Sequence, residues 1–202
     1  MRPWLTRNLF VISAVAVGLV AAWVLVRKAG DASTVQAGPW RASTLTGSAD
    51  SGALLRAQVA VAGLLALNRQ ETMYYMAKED SAGQRLRASC KYRIAGSVPA
   101  ARWWSVTAYA DDYFLFTVPS GRYSFNSEQH NKIAGEQPVT TQKFTMETGP
   151  EMSAPEWHLP TPGNKPATGL VLTLRLYNPQ PALAQSPEKL QAPSITRIGE
   201  CA

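Results

Sequence analysis

Histidine and cysteine are scarce, two of each in 202 residues. Cys90 and Cys201 stand in no Cys-x-x-Cys spacing and beside no histidine, so zinc and thioredoxin-like chemistry lack their ligand pattern. His130 lies in the polar run Glu128-Gln129-His130-Asn131 and His158 in a proline-rich stretch, and neither is spaced like a metal ligand. The chain has neither a Gly-x-Ser-x-Gly elbow nor a glycine-rich phosphate loop, so nucleophilic and nucleotide chemistry have no local support. No metal and no cofactor are implied.

Acidic residues are missing from the first 28 positions, which hold Arg2, Arg7, Arg27 and Lys28. Setting these four aside leaves sixteen basic side chains against fourteen acidic ones, so the apparent pI near 9.5 belongs mostly to the N-terminus. A near-neutral remainder lacks the basic footprint that phosphate backbones require, which argues against nucleic acid.

Charge is absent altogether from Leu9 to Val26, 18 residues reading LFVISAVAVGLVAAWVLV. Roughly 20 apolar residues in a helix cross a bilayer core of about 30 Å, so this run suffices to span. The competing reading is a cleaved signal peptide, whose apolar region is normally about 7 to 15 residues and is followed closely by a small-x-small site. The nearest such site, Val35-Gln36-Ala37, lies well past Val26, and this favours a retained signal anchor over residues 1–28.

Flanking charge decides orientation poorly, because Arg2 and Arg7 are balanced by Arg27 and Lys28. The cysteines add to it. A Cys90 to Cys201 disulfide would close a loop of about 110 residues, worth about 4 to 5 kcal/mol in the chain-entropy model, and would require an oxidising compartment. Two free thiols are the alternative. With the bridge, the expected arrangement is a single pass in the bacterial inner membrane with the C-terminal domain in the periplasm.

Residues 29–52, rich in Ala, Ser, Thr and Gly, read as a flexible tether. Ala53 to Asn68 places Leu54, Leu55, Val59, Ala62 and Leu65 at helical spacing. Thr72 to Ala77 and Arg87 to Gly96 have strand composition around a Lys78 to Gly83 turn, and read as a hairpin. Further strands are expected from Trp103, from Tyr113 (YFLFTV), from Gln142 and from Gly169. Pro150 to Pro166, with five prolines, reads as an ordered surface loop, and a second proline-rich run extends from Pro179 to Pro193. The expected fold is mainly β: an antiparallel sandwich or jelly roll over residues 53–202 with one preceding helix, behind an N-terminal transmembrane helix.

Several segments together carry a resemblance: Cys90-Lys91-Tyr92-Arg93-Ile94-Ala95-Gly96, Ala101-Arg102-Trp103-Trp104-Ser105-Val106-Thr107-Ala108-Tyr109, and Gly121-Arg122-Tyr123-Ser124-Phe125. Trp157, Leu159-Pro160, Leu172-Thr173-Leu174-Arg175-Leu176-Tyr177-Asn178-Pro179, Pro193-Ser194-Ile195 and Cys201 continue it. In their order and spacing they resemble the bacterial family catalogued as domain of unknown function 1214, over roughly Leu64 to Cys201, and its short membrane-anchored members most of all. The resemblance implies a β-sandwich and no particular reaction. Two positions depart from the pattern: Ala110, where an acid commonly follows the tyrosine, and His158, which interrupts a usual Trp-Leu-Pro.

The aromatics Trp103, Trp104, Tyr109, Tyr113, Tyr123, Trp157 and Tyr177 are suited to lining a cleft that stacks on sugar rings, or else to filling a core. Arg175 in VLTLRLY either faces solvent or pairs with a carboxylate, or it serves as an anion clamp. Asp111-Asp112 reads as a solvated turn before Tyr113, and as an acid or base only if that turn presents it to a ligand. The candidate ligand-binding set is therefore Arg175, Tyr109, Trp157, Tyr123 and Asp112. The leading expectation is a non-enzymatic envelope module that binds a partner protein or an envelope polymer. The alternative is an enzyme acting on a small or saccharide-like substrate in a sandwich cleft.

Overall fold

A computed structural model of the chain describes residues 3–29, 34–43, 51–61, 67–68, 70–134, 143–150, 155–162 and 168–201. The first element is the helix α1, Pro3–Ala29, with a proline in its first turn, where the missing N–H costs nothing. Its stretch Arg7–Val26 is 20 residues long and none of it is buried, and Phe10 is 74% exposed. At 1.5 Å per residue that stretch measures about 30 Å, the thickness of a bilayer's hydrocarbon core. By length and composition α1 is apolar enough to cross a membrane.

The following segment departs from the tether reading. Thr34–Ala37 (β1) and Trp40–Ser43 (β2) form a two-residue hairpin turned by Gly38, at φ 58°, and Pro39. Their inward side chains include Ala37, Trp40 and Ala42, all buried, and the Trp40 indole Nε1 donates to the Pro193 carbonyl at 2.7 Å. A single large aromatic in a small-residue stretch is enough to seat the hairpin in the core. Positions 30–33 and 44–50 of the expected tether lie outside the described residues. The expected helix appears as α2, Ala53–Val61, and the rest of its span up to residue 66 is outside them too.

Among the described residues, ten strands make two sheets. β3 is Thr72–Ala77, β4 Tyr92–Ser97, β5 Ala101–Ala110, β6 Ser124–Asn126, β7 Lys143–Gly149, β8 His158–Pro160, β9 Leu170–Pro179 and β10 Ser194–Arg197. One sheet runs β1-β2-β3-β9-β5-β6 and the other β10-β4-β7-β8. Among the described strands every pairing is antiparallel except β7 with β8, which is parallel. Two further helices are α3, Ser127–Ala134, and the short α4, Pro181–Gln185.

The sheets share one core, so the chain is mainly β and packs as a sandwich. Trp104 of β5 stacks 4.7 Å from Phe144 of β7 across the gap, with Phe125 at 5.9 Å on its own sheet. The C-terminal run closes one side of this core: Leu183 and Leu190 are buried, and Tyr75 donates from its hydroxyl to the Pro187 carbonyl at 2.8 Å. Cys90 and Cys201 are joined by a disulfide, 111 residues apart in sequence.

Three local expectations are corrected. β3 and β4 are not a hairpin: β3 pairs with β2 and β9, whereas β4 pairs with β10 and β7 in the opposite sheet. The turn chemistry between them is real, since Asp80 Oδ1 accepts from the N–H groups of Ala82 and Gln84, but it turns a crossover loop. Tyr113 to Val118 is not a strand. Its only ladder contact among the described residues is the bridge between Leu115 and Tyr109, and Tyr113 takes φ 66° in a turn. Finally, the proline-rich stretch is not all surface loop, because β8 inside it is wholly buried along β7. Pro160 is tolerated there at a sheet edge. Positions 151–154 and 163–167 of that stretch lie outside the described residues.

Candidate functional site

Strand register decides which side chains share a face, because cross-strand partners in an antiparallel pair point the same way. In the rows of the six-stranded sheet, Met73 with Leu176 and Trp104, and Tyr75 with Leu174 and Val106, point into the sandwich core. The alternate rows face outward: Thr72 with Tyr177 and Trp103, Tyr74 with Arg175 and Ser105, and Met76 with Thr173 and Thr107. Tyr109, opposite Val171, extends this face at the end of β5.

The outward face is therefore aromatic and polar. Trp103 and Tyr177 meet edge to face with centroids 5.1 Å apart. Arg175 donates from Nη2 to the Tyr109 hydroxyl at 2.6 Å and from Nη1 to Thr107 Oγ1 at 3.2 Å, with its guanidinium 5.5 Å from the Tyr109 ring centre. Arg175 thus lies on the outward face by simple alternation, half-buried, with hydroxyl acceptors satisfying its guanidinium. Ser105, Thr107 and Thr173 lie buried between the larger side chains. Thr72 is 2% exposed, and its hydroxyl has no hydrogen-bond partner among the described residues. A buried hydroxyl in that state is costly.

Of the expected set, the fold brings Arg175 and Tyr109 together and leaves the other three elsewhere. Tyr123 and Trp157, 40% and 42% exposed, sit in the segments entering β6 and β8. Arg122 ties those segments together, donating from Nη1 to the carbonyls of Pro155 at 2.6 Å and His158 at 3.1 Å. Asp112 caps its own turn, its Oδ1 accepting from the Phe114 N–H at 3.0 Å. Among the described residues no carboxylate joins the Arg175 cluster, and no three His, Cys, Asp or Glu side chains come together as a metal site would require. Trp104, by contrast, belongs to the core. Sequence reasoning missed Thr72, Tyr74 and Thr107. Alternation along each strand marks them as one face, but only the β3-β9-β5 adjacency joins them.

Glu147 and His130, elsewhere in the fold, are both shifted. Burial alone would push the Glu147 carboxyl up, but hydrogen bonds from Lys91 and Arg93, with ion-pair distances of 3.1 and 3.0 Å, outweigh it and hold the group below its ordinary value. Burial against Trp104 and Phe144 pushes the His130 imidazole down, and its Nε2 has no partner among the described residues.

Comparison with known proteins places these features in a family. The sequence model described as "Protein of unknown function (DUF1214)" matches residues 71–181, more than half of the chain. The chain belongs to that family. The match takes in β3 through β9 and so contains every residue of the outward cluster. No curated protein matches. Among solved structures, the VPA0106 protein from Vibrio parahaemolyticus aligns with a TM-score of 0.56 at 21% identity, over 72% of this chain and 35% of that one. A putative uncharacterized protein from Burkholderia cenocepacia aligns at 0.36 and 12% identity, over 63% of this chain and 29% of that one. The chain thus spans about a third of the length of the solved structures it matches, and the first of them shares its fold.

Proposed function

We propose that this DUF1214 protein is an envelope module, anchored in the bacterial inner membrane by α1, whose sandwich faces the periplasm and binds a glycan-type envelope polymer on the outward face of its six-stranded sheet. The observation that carries the reading is the juxtaposition of Trp103, Tyr177, Tyr74 and Tyr109 around Arg175 on one side of three adjacent strands. Aromatic rings offer flat apolar area to the faces of sugar rings, while a guanidinium and hydroxyls hold their polar rims. The anchor reading is supported by the length of α1, and the periplasmic reading by the disulfide, which persists in oxidising compartments.

The test is co-sedimentation of the full chain, in detergent, with insoluble envelope glycan. Wild type is expected to sediment with the polymer, and Trp103→Ala combined with Tyr177→Ala to weaken binding at least tenfold while Trp157→Ala leaves it unchanged. Equal sedimentation of wild type and the double variant would overturn the assignment of this face. A periplasm-dependent reporter fused after Ala202 tests topology separately, and activity only of a cytoplasm-dependent reporter would overturn the orientation.

A further inference from the structure

A second feature lies near the disulfide, on the crossover between β3 and β4. A cavity of about 220 Å³ opens there, with Arg85 and Arg87 from the crossover on one side and Arg197 from β10 on another. The disulfide of Cys90 and Cys201 lines it as well, so the covalent link holds the chain beyond β10 against this wall.

Its charge is unbalanced. Among the described residues no carboxylate lies within ion-pair distance of any of the three guanidinium groups. Among the described residues Asp80 is the one acid lining the cavity, and one of its carboxylate oxygens is already engaged by the N–H groups of Ala82 and Gln84. Among the described residues the Arg197 side chain makes only a long contact, 3.9 Å, to Cys201 Sγ. Tyr92 adds a neutral donor: its hydroxyl accepts from the Arg87 N–H at 3.0 Å, which leaves its own proton without an acceptor among the described residues. Burial pushes that phenol up, so the proton stays on at neutral pH.

We propose that this cavity is a binding site for a compact tetrahedral oxyanion, phosphate or sulfate, held by Arg85, Arg87 and Arg197 with the Tyr92 hydroxyl as a further donor. Guanidinium forks match such anions with paired N–H donors, and these charge-assisted bonds are the strong ones. The volume is below the roughly 300 to 1,000 Å³ of cavities that enclose drug-sized ligands, which selects an ion or the phosphate end of a larger molecule. The site is separate from the outward sheet face and does not depend on its assignment.

The experiment is thermal unfolding of the full chain in detergent, titrated at constant ionic strength with inorganic phosphate, sulfate or glycerol phosphate against chloride. Saturable stabilisation by an oxyanion is expected, with Arg87→Gln combined with Arg197→Gln raising the apparent Kd at least tenfold and Arg102→Gln, exposed at the start of β5, leaving it unchanged. Preference for glycerol phosphate assigns the site to a phosphate ester, and equal response to the free ions assigns it to the ion. Should the double variant fail to fold, Arg85→Gln is read the same way. A response no different from chloride, or equal weakening by Arg102→Gln, overturns the proposal.

Discussion

Gly96 on β4 lies so close to Pro193 that a Cβ built on it would sit 2.7 Å from the Pro193 Cα. Ser194 follows at once into β10, which pairs with β4, so the glycine lets the returning chain lie flat on the strand. The obstructing atoms are backbone and a proline ring, which cannot swing aside. Gly96→Ala is expected to cost about 1 to 3 kcal/mol, the usual range for overpacking. Urea denaturation of the full chain checks this, and an unchanged midpoint would show that β10 shifts freely.

The disulfide stabilises chiefly by shortening the unfolded chain. For a closed loop of this size the entropy model predicts about 4 to 5 kcal/mol. Reduction is expected to lower the urea midpoint by an amount approaching that, without changing the slope sign or the secondary structure seen by circular dichroism. Replacement of Cys90 and Cys201 by Ser together should reproduce the reduced protein's midpoint.

Arg175 and Tyr109 are expected to be energetically coupled. Tyr109→Phe removes the hydroxyl that accepts from Arg175 and should cost about 1 kcal/mol or somewhat more, because the lost acceptor served a charged donor. Arg175→Met keeps much of the volume. In a double-mutant cycle the two changes should fall short of additivity by roughly 0.5 to 3 kcal/mol. Strict additivity would mean that the contact contributes nothing in solution.

Acid should destabilise the domain in two steps of the same sign. His130 titrates below its ordinary value of 6.5, so on acidification the unfolded chain takes up that proton first, and stability falls as pH drops from about 6.5 towards the folded-state value. Glu147 is likewise held below its ordinary 4.5, so the stability from its ion pairs is present above that value and is lost as pH falls through the folded one. Denaturation midpoints measured across pH should lose the upper step in His130→Leu and the lower step in Glu147→Gln.

What was readable in advance tracks the range of the interactions involved. Thr72 to Ala77, the Trp103 strand and the Gly169 strand announced themselves through β-branched and aromatic runs, and the apolar helix through its length. The hairpin at Thr34 to Ser43 did not, because its membership depends on Trp40 finding a carbonyl 153 residues away. Nor did the separation of β3 from β4, since both the expected hairpin and the observed crossover need the same turn at Asp80. At the site, Arg175 stood out as a charge in an apolar strand, but its partners Tyr109 and Thr107 are neighbours only through the β5-β9 register. Tyr123, Trp157 and Asp112 are marked by composition alone; the first two lie in the segments entering β6 and β8, and Asp112 caps its own turn.

The seating of Trp40 also has a mechanical side. Tension arriving along the apolar helix would reach the sandwich through β1 and β2, at the margin of the larger sheet. Rupture should therefore start by peeling that hairpin rung by rung, with the indole's grip on Pro193 as the catch. A single-molecule pulling trace from the N-terminus would register this as an early, small extension before the rest of the domain yields.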